Sequence, residues 1–304
     1  MTHYEKICKE LLSSPKTWLI TGVAGFIGSN LIRFLNAQNK YEITSLDCYF
    51  TGKKENHING INYVNGYTWD IENIFPNTKF DLIYHFGEYS RIVKSFDDIQ
   101  FVSESILYGT PKVFDFARKC DSKLIYSASS SKFGNNGTDE NLSPYSWMKS
   151  KMVELLKNYN LWFDLDFEIS YFFNVYGPGQ IYEGPYSTVV AIFERQFLNN
   201  EYLTVVEPGT QSRDFTHVDD IVSGLVKLID INKNHEWFLR SGKNIKIIDL
   251  ALLFSNRIKY IDERRGERFT SEYFDSDTES KLDWLPKQDL NDWIENIKKQ
   301  QLDE

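Results

Sequence analysis

The sequence predicts an α/β protein, a doubly wound parallel sheet with a smaller α/β region at its C-terminal end. Three observations point there. A short apolar strand at residues 17 to 22, Thr-Trp-Leu-Ile-Thr-Gly, runs into a glycine-rich turn. Apolar runs then alternate with helix-like stretches as far as about residue 175. Beyond that point glycine and proline pairs break the pattern into shorter elements.

Taken in order, residues 1 to 15 read as an extra amphipathic helix ahead of the first strand. Phe26 to Leu35 has helical apolar spacing, so the chain opens as strand, turn and helix. Strand-like runs follow at Tyr41 to Leu46, Phe80 to Phe86, Lys123 to Tyr126 and Phe167 to Phe173. Helical stretches at Phe101 to Lys119 and Tyr145 to Tyr159 alternate with them, which implies parallel strands with helices on both faces. Gly177-Pro178-Gly179, Gly184-Pro185 and Pro208-Gly209 mark the loops of the later region.

Composition narrows the function. The chain has 304 residues, 41% of them hydrophobic, enough for one large core or two modest ones. A net charge of −9 disfavours a nucleic-acid partner, which needs a basic face. No run of eighteen apolar residues exists and the first residues lack a signal peptide's apolar stretch, so we expect no membrane partner and a cytoplasmic location. Cys8, Cys48 and Cys120 are odd in number and widely spaced, which argues for reduced thiols over a disulfide framework or a zinc cluster. The five histidines lack metal-ligand spacing, and His217 reads as packing. Asp275-Ser-Asp277-Thr-Glu279 starts like a calcium loop, but its sixth position is Ser280 and its twelfth Pro286, so it reads as a loop and helix cap. No metal is expected.

Gly22-Val-Ala-Gly25-Phe26-Ile27-Gly28 follows a strand and opens a helix, the context a dinucleotide site requires. The first glycine permits the tight turn, the second lets backbone approach a pyrophosphate, and the third lets helix pack on strand. The fold class is therefore Rossmann-type. Asp47 ends the second strand nineteen residues after Gly28, where a carboxylate accepts hydrogen bonds from ribose hydroxyls and repels a 2′-phosphate. That favours NAD over NADP, with Lys53 and Lys54 as the opposing signal. Asp70 is a candidate for the adenine amino group, or a solvated turn residue. We expect residues 1–175 to form the NAD-binding unit, with strand and helix contributed from about 212–232, and residues 176–304 to form the substrate-binding region.

Tyr145 and Lys149 lie four residues apart in a predicted helix, so the lysine stacks one turn from the phenol. An ammonium there favours phenolate, which an ordinary tyrosine reaches only near pH ~10. By itself this spacing is as well explained by an amphipathic helix; the glycine turn upstream gives it weight.

With these residues the chain resembles the extended short-chain dehydrogenases, specifically the nucleotide-sugar epimerases and dehydratases. The resemblance spans nearly the whole chain. It includes Tyr126-Ser-Ala-Ser129-Ser-Ser-Lys-Phe-Gly134, Tyr171-Phe-Phe-Asn174-Val-Tyr-Gly-Pro178, Gln211-Ser-Arg213-Asp-Phe-Thr-His-Val-Asp-Asp220 and Arg264-Arg-Gly-Glu267. The helix ahead of the glycine turn is similar to that of epimerases acting on UDP-N-acetylhexosamines. The resemblance implies a catalytic set of Ser129, Tyr145 and Lys149, with Ser129 bonded to the sugar's reacting oxygen. It implies cofactor contacts from the glycine turn, Asp47, Asp70, Ile71, Phe86, Gly87, Tyr145, Lys149 and Phe172. Asn174, Arg213 and Arg264 match residues that hold the substrate's diphosphate or sugar, and Tyr186 matches the nucleotide-binding loop. It also implies a homodimer through helices 101–119 and 145–159.

The chain departs from the pattern at informative positions. Relatives that dehydrate carry Asp-Glu where Ser130 and Ser131 stand, and hydroxyls cannot replace carboxylates as proton shuttles, so dehydration is disfavoured. GDP-fucose synthase-like enzymes carry cysteine at the Ser131 position. His85-Phe-Gly-Glu88-Tyr-Ser-Arg91 replaces the usual His-Leu-Ala-Ala and puts a carboxylate and a guanidinium near the expected sugar pocket. Glu88 and Arg91 read substrate hydroxyls, read a charged substituent, or pair with each other. Val206, Ile106 and Tyr171 replace a base-stacking aromatic, an asparagine and an arginine; none touches the expected proton transfer.

The favoured expectation is an NAD-dependent nucleotide-sugar 4-epimerase. The alternatives are a 4-reductase or 4-oxidase on the same residues, an NAD-sensing regulator without catalysis, and a scaffold whose Tyr145 helix serves assembly.

Overall fold

A computed structural model describes residues 17–36, 41–133, 140–270 and 277–303. The helix expected over 1–15 lies outside them. The chain starts with strand β1 (Thr17–Thr21), helix α1 (Phe26–Asn36), β2 (Glu42–Asp47), β3 (Asn62–Asn65) and β4 (Leu82–His85). A long helical stretch follows: α2 (Ile99–Ser103), a π-helical segment Glu104–Gly109, and α3 (Thr110–Cys120). β5 (Lys123–Ser129), α4 (Pro144–Phe163) and β6 (Phe167–Phe172) complete the alternating part.

Seven strands form one sheet in the order β3-β2-β1-β4-β5-β6-β10, where β10 is Glu236–Leu239, and every pairing is parallel. The order reverses between β1 and β4, which opens a crevice at their C-terminal ends, the place where such sheets bind ligands. Side chains of β1 alternate between two cores because successive residues of a strand face opposite ways. Trp18 and Ile20 pack with Leu31, Ile32 and Ile221 of α1 and α6 (Val218–Lys227), whereas Leu19 packs with Val113, Phe114 and Val153 of α3 and α4. Burial of both sheet faces explains why these strands read as continuous apolar runs.

The expected helix over Phe101 to Lys119 is present but begins at Ile99 and widens into the π segment. Gly109 ends that segment against Thr68; a Cβ there would lie 2.4 Å from the Thr68 hydroxyl. After β6 the chain leaves the large sheet. β7 (Asn174–Tyr176) pairs with β9 (Ser212–His217), which pairs in turn with β11 (Asn244–Lys246); β8 (Leu203–Val206) pairs with β12 (Ile258–Ile261). A third core of Val190, Phe193, Leu203, Leu250, Phe254 and Ile294 holds this region together. The chain meanwhile returns to the large sheet at α6 and β10.

Two buried polar groups brace this region. Asp214 accepts from the Ser241 and Gly242 amides at 3.0 and 2.8 Å, and Asp220 accepts from the Lys287 and Gln288 amides at 2.9 Å each. His217 caps α6, its Nδ1 accepting from the Asp219 amide at 3.2 Å.

Candidate active site

The crevice begins at the glycine turn. Gly22 has φ +76°, and a Cβ on it would lie 2.8 Å from the Gly87 nitrogen, so only glycine fits where β1 and β4 part. Gly28 is as confined: its Cβ would meet the Gly22 carbonyl oxygen at 2.5 Å. Gly25 is different, with only the Gly22 oxygen near, at 3.3 Å, so its backbone faces open space at the start of α1. The amides of Phe26 and Ile27 belong to that first helical turn, where donors have no partner within the helix and the helix dipole favours a negative group. This cradle fits a pyrophosphate.

Asp47, at the end of β2, is buried and accepts from the Ala24 amide at 2.9 Å and the Tyr49 amide at 2.8 Å. Burial raises its pKa; those two amides and His57 oppose the rise. Beside it lies a small cleft lined by Cys48, Tyr67, Thr68, Trp69 and Gly87. Tyr67 and Trp69 stack at 4.1 Å. Asp70 and Ile71 lie just past this lining: Asp70 is exposed and Ile71 is fully buried in the core. Lys53 and Lys54 are exposed. Together the cradle, the buried Asp47 and the cleft fit an adenine dinucleotide.

The β4–β5 register pairs His85 with Tyr126, which brings the segment after His85 beside Ser127 to Ser129. Helix α4 lies across these strand ends. It is started by Ser143, whose hydroxyl accepts from the Ser146 amide at 3.1 Å, and by Pro144 in its first turn. Tyr145 and Lys149 therefore point from successive turns into the strand-end crevice.

Lys149 donates to the Glu88 carboxylate, to the Tyr126 hydroxyl at 3.0 Å and to the Ser127 carbonyl at 2.5 Å. Glu88 also accepts from Thr110 Oγ1 at 2.6 Å and the Tyr126 hydroxyl at 3.1 Å. Burial lowers the Lys149 pKa and Glu88 opposes that shift. The chain of bonds continues: Thr110 meets His85 Nε2 at 3.1 Å, and His85 Nδ1 meets Thr21 Oγ1 at 2.8 Å. Thr110 gives its proton to Glu88, so it accepts from His85, which assigns the proton to Nε2. Burial pulls the His85 pKa down to about 4, so the ring is neutral at pH 7. Thr21 also accepts from the Gly87 amide at 2.8 Å, tying the network to the glycine turn.

Tyr145 is buried, with the Ser129 hydroxyl near its phenol. Burial pushes its pKa up to about 12; the Ser129 hydroxyl lowers it, Glu88 raises it, and the Arg91 and Arg268 guanidiniums lower it. Ser131 donates its amide to Ser129 Oγ at 3.2 Å. The site thus holds a protonated phenol, a hydroxyl near it and two positive groups, the equipment for moving a proton on an alcohol.

Arg91 and Glu88 do not bond each other. Arg91 donates to the carbonyls of Tyr186 at 2.5 Å and Ser90 at 2.8 Å. The Tyr186 hydroxyl donates to Asp98 at 3.0 Å. Asn174 donates to the Asp214 carbonyl at 3.1 Å, and Phe172 lies against Phe86 with ring centres 6.1 Å apart. Arg213 on β9 donates to Glu267 at 2.6 Å, whereas Arg264 is exposed. The arginine buried in the site is Arg268, which sequence reasoning passed over; it donates to the Ser130 carbonyl at 2.7 Å. Thr110 and Tyr126 were also missed as site residues. The signal for Arg268 was available, since it directly follows the Arg264-Arg-Gly-Glu267 motif.

Comparison with known proteins places this geometry among related chains. Residues 18–238 match the model of the NAD dependent epimerase/dehydratase family. A putative UDP-glucose 4-epimerase of Methanocaldococcus jannaschii is 28% identical over 298 residues, covering 92% of this chain and 96% of its own. The structure of a UDP-N-acetylglucosamine 4-epimerase from Methanobrevibacter ruminantium, solved with UDP-N-acetylmuramic acid, superposes with a TM-score of 0.84 at 25% identity, over 94% of this chain and 98% of that one. The fold of the Thermotoga maritima UDP-glucose 4-epimerase matches with a TM-score of 0.87 at 23% identity, over 94% and 99%.

Proposed function

Because the chain belongs to the NAD-dependent epimerase/dehydratase family, an enzyme family using NAD, we propose that it is a nucleotide-sugar 4-epimerase acting by transient oxidation at sugar C4. The observation that carries this reading is the buried Tyr145 phenol with the Ser129 hydroxyl near it, beside Ser130 and Ser131, two positions that hold no carboxylate for dehydration. Burial holds the Tyr145 phenol protonated, so it first gives its own proton to solvent; the phenolate then takes the C4 hydroxyl proton and later returns it. Ser129 holds the same oxygen and supports it as carbonyl character develops. Arg91 and Arg268 favour the phenolate by their charge. Lys149, with its charge matched by Glu88, orients the nicotinamide ribose. NAD, held by the glycine turn, Asp47 and Lys149, would supply the hydride acceptor for C4 and the donor for its return to the opposite face, so the reaction would have no net redox.

Gly25, Phe26, Ile27 and Gly28 with Asp47 hold the cofactor's pyrophosphate and adenosine, while Asn174, Tyr186, Arg213 and Arg264 serve the nucleotide sugar. Residues 1–175 then act mainly as the NAD-binding unit and 176–304 as the substrate side. A homodimer through helices 101–119 and 145–159 completes the proposal; Tyr108 and Trp162, 55% and 60% exposed, are the apolar groups such an interface would cover.

The similar 4-epimerases make UDP-hexoses the first compounds to try. Purified protein is incubated with UDP-, dTDP- and GDP-sugars and the C4 configuration is read by NMR. Conversion at C4 without accumulating NADH supports the reading; stoichiometric NADH gain or loss selects a 4-oxidase or 4-reductase instead.

A further inference from the structure

Arg268 is a buried guanidinium with fewer hydrogen bonds than it can make. It is 4% exposed, and one of its nitrogens, Nη1, donates to the Ser130 carbonyl at 2.7 Å. Its Nε has no partner among the described residues. The nearest carboxylate in sequence, Glu267, is already bonded by Arg213 at 2.6 Å. Next to Ser130, the buried Ser131 hydroxyl also has no partner among the described residues. The Glu267 carboxylate attracts Arg268 by its charge but takes its hydrogen bond from Arg213, so Arg268 lacks the full set of acceptors that a guanidinium removed from water needs. Arg91, the other guanidinium that bears on the Tyr145 phenol, donates instead to Tyr186 and Ser90. Burial and the neighbouring Arg213 depress the Arg268 pKa to about 9, and Glu267 opposes the shift without cancelling it.

The two unpartnered groups lie beside the reacting atoms. Ser131 donates its amide to Ser129 Oγ at 3.2 Å, and the Ser129 hydroxyl is near enough to the Tyr145 phenol to lower its pKa. A sugar whose C4 oxygen meets Tyr145 and Ser129 has C5 as a ring neighbour of the reacting carbon. Its diphosphate, on C1, lies across the ring. We propose that Arg268 and Ser131 form an anion subsite for a carboxylate carried on C5, so that the substrate class is a nucleotide-linked hexuronic acid. The reading rests on the 4-epimerase assignment only for which carbon meets Tyr145. A planar guanidinium suits a carboxylate, which accepts two parallel N–H bonds.

The test is a binding measurement that needs no turnover. Calorimetry on the NAD-loaded Tyr145→Phe variant compares UDP-glucuronate and UDP-galacturonate with UDP-glucose and UDP-galactose, which carry the same diphosphate. The uronates are expected to bind on the order of tenfold tighter or more. UDP-glucuronamide, with a neutral amide in place of the carboxylate, is expected to bind like the hexoses. Adding Arg268→Gln removes the preference and leaves hexose affinity within about threefold, while Arg268→Lys retains part of it. Equal loss for uronates and hexoses in Arg268→Gln assigns the arginine to the diphosphate and overturns the proposal. So does the absence of a uronate preference before Arg268 is changed, or tight binding of the glucuronamide. Should Arg268→Gln fail to fold, the glucuronamide comparison decides alone. A uronate preference without C4 conversion in the wild type would sink the epimerase reading and leave this subsite standing.

Discussion

Glu88 and Lys149 form an ion pair with side chains only 3% and 4% exposed. Such a pair is weak evidence of net stability, because each charge had to leave water, but breaking it by removing one partner leaves an uncompensated buried charge. Glu88→Ala is therefore expected to destabilise the fold by about 3–5 kcal/mol in urea unfolding. Glu88→Ala combined with Lys149→Met recovers most of that loss, since no charge remains to be matched. A single Glu88→Ala as stable as wild type would mean that Lys149 reaches water.

Tyr145 ties activity to pH through its raised pKa. Tyr145→Phe removes the proposed proton acceptor and is expected to lower kcat by about 10²–10⁴-fold. In the native protein the phenol keeps its proton up to about pH 12, against 10.0 for an ordinary tyrosine. Its contribution to stability is full below pH 10 and lost as pH rises through 12, about 3 kcal/mol for two pKa units. The gap between wild type and Tyr145→Phe in urea midpoint should shift in favour of the variant across that window. An unchanged gap would place the phenol in water.

His85 works in the opposite direction. Its ring stays neutral to about pH 4, against 6.5 when unfolded. The unfolded chain therefore binds the extra proton between those values, and stability falls as pH drops through the window, by up to about 3 kcal/mol. His85→Gln should lose less stability than wild type between pH 7 and 4.5. Equal acid sensitivity would show that the imidazole titrates normally.

The glycine turn separates folding from cofactor binding. Gly28→Ala forces a Cβ to 2.5 Å from the Gly22 oxygen, an overpacking expected to cost about 1–3 kcal/mol. Gly25→Ala meets only the Gly22 oxygen, at 3.3 Å, so its stability stays within about 1 kcal/mol while NAD affinity falls on the order of tenfold or more. Thermal melts and fluorescence titration with NAD distinguish the two. Full NAD affinity in Gly25→Ala would contradict the cradle.

Local order made much of the fold legible. The strand, glycine turn and α1 occupy consecutive residues, and strands buried on both faces announce themselves as apolar runs. The β10 edge strand escaped because four residues after a loop carry no periodic signal. The π segment was equally hidden, since it ends at Gly109 against Thr68, a contact between residues far apart in sequence. In the site, Tyr145, Lys149 and Ser129 were legible as motif positions. Their partners were not: Glu88 reaches Lys149 only because β4 lies beside β5, and Arg268 arrives from the segment after β12. Glu88 and Arg91 had three open readings in the sequence, and the geometry sends them to different partners.

The central claim, reversible oxidation at one sugar carbon with Tyr145 as the proton acceptor, is tested most directly with a nucleotide sugar carrying deuterium at C4. NMR of the product formed by wild type is expected to show the opposite C4 configuration with the deuterium still on C4, no accumulated NADH, and hardly any conversion by Tyr145→Phe. Loss of the deuterium to solvent, net NADH formation, or equal conversion by Tyr145→Phe would contradict the account.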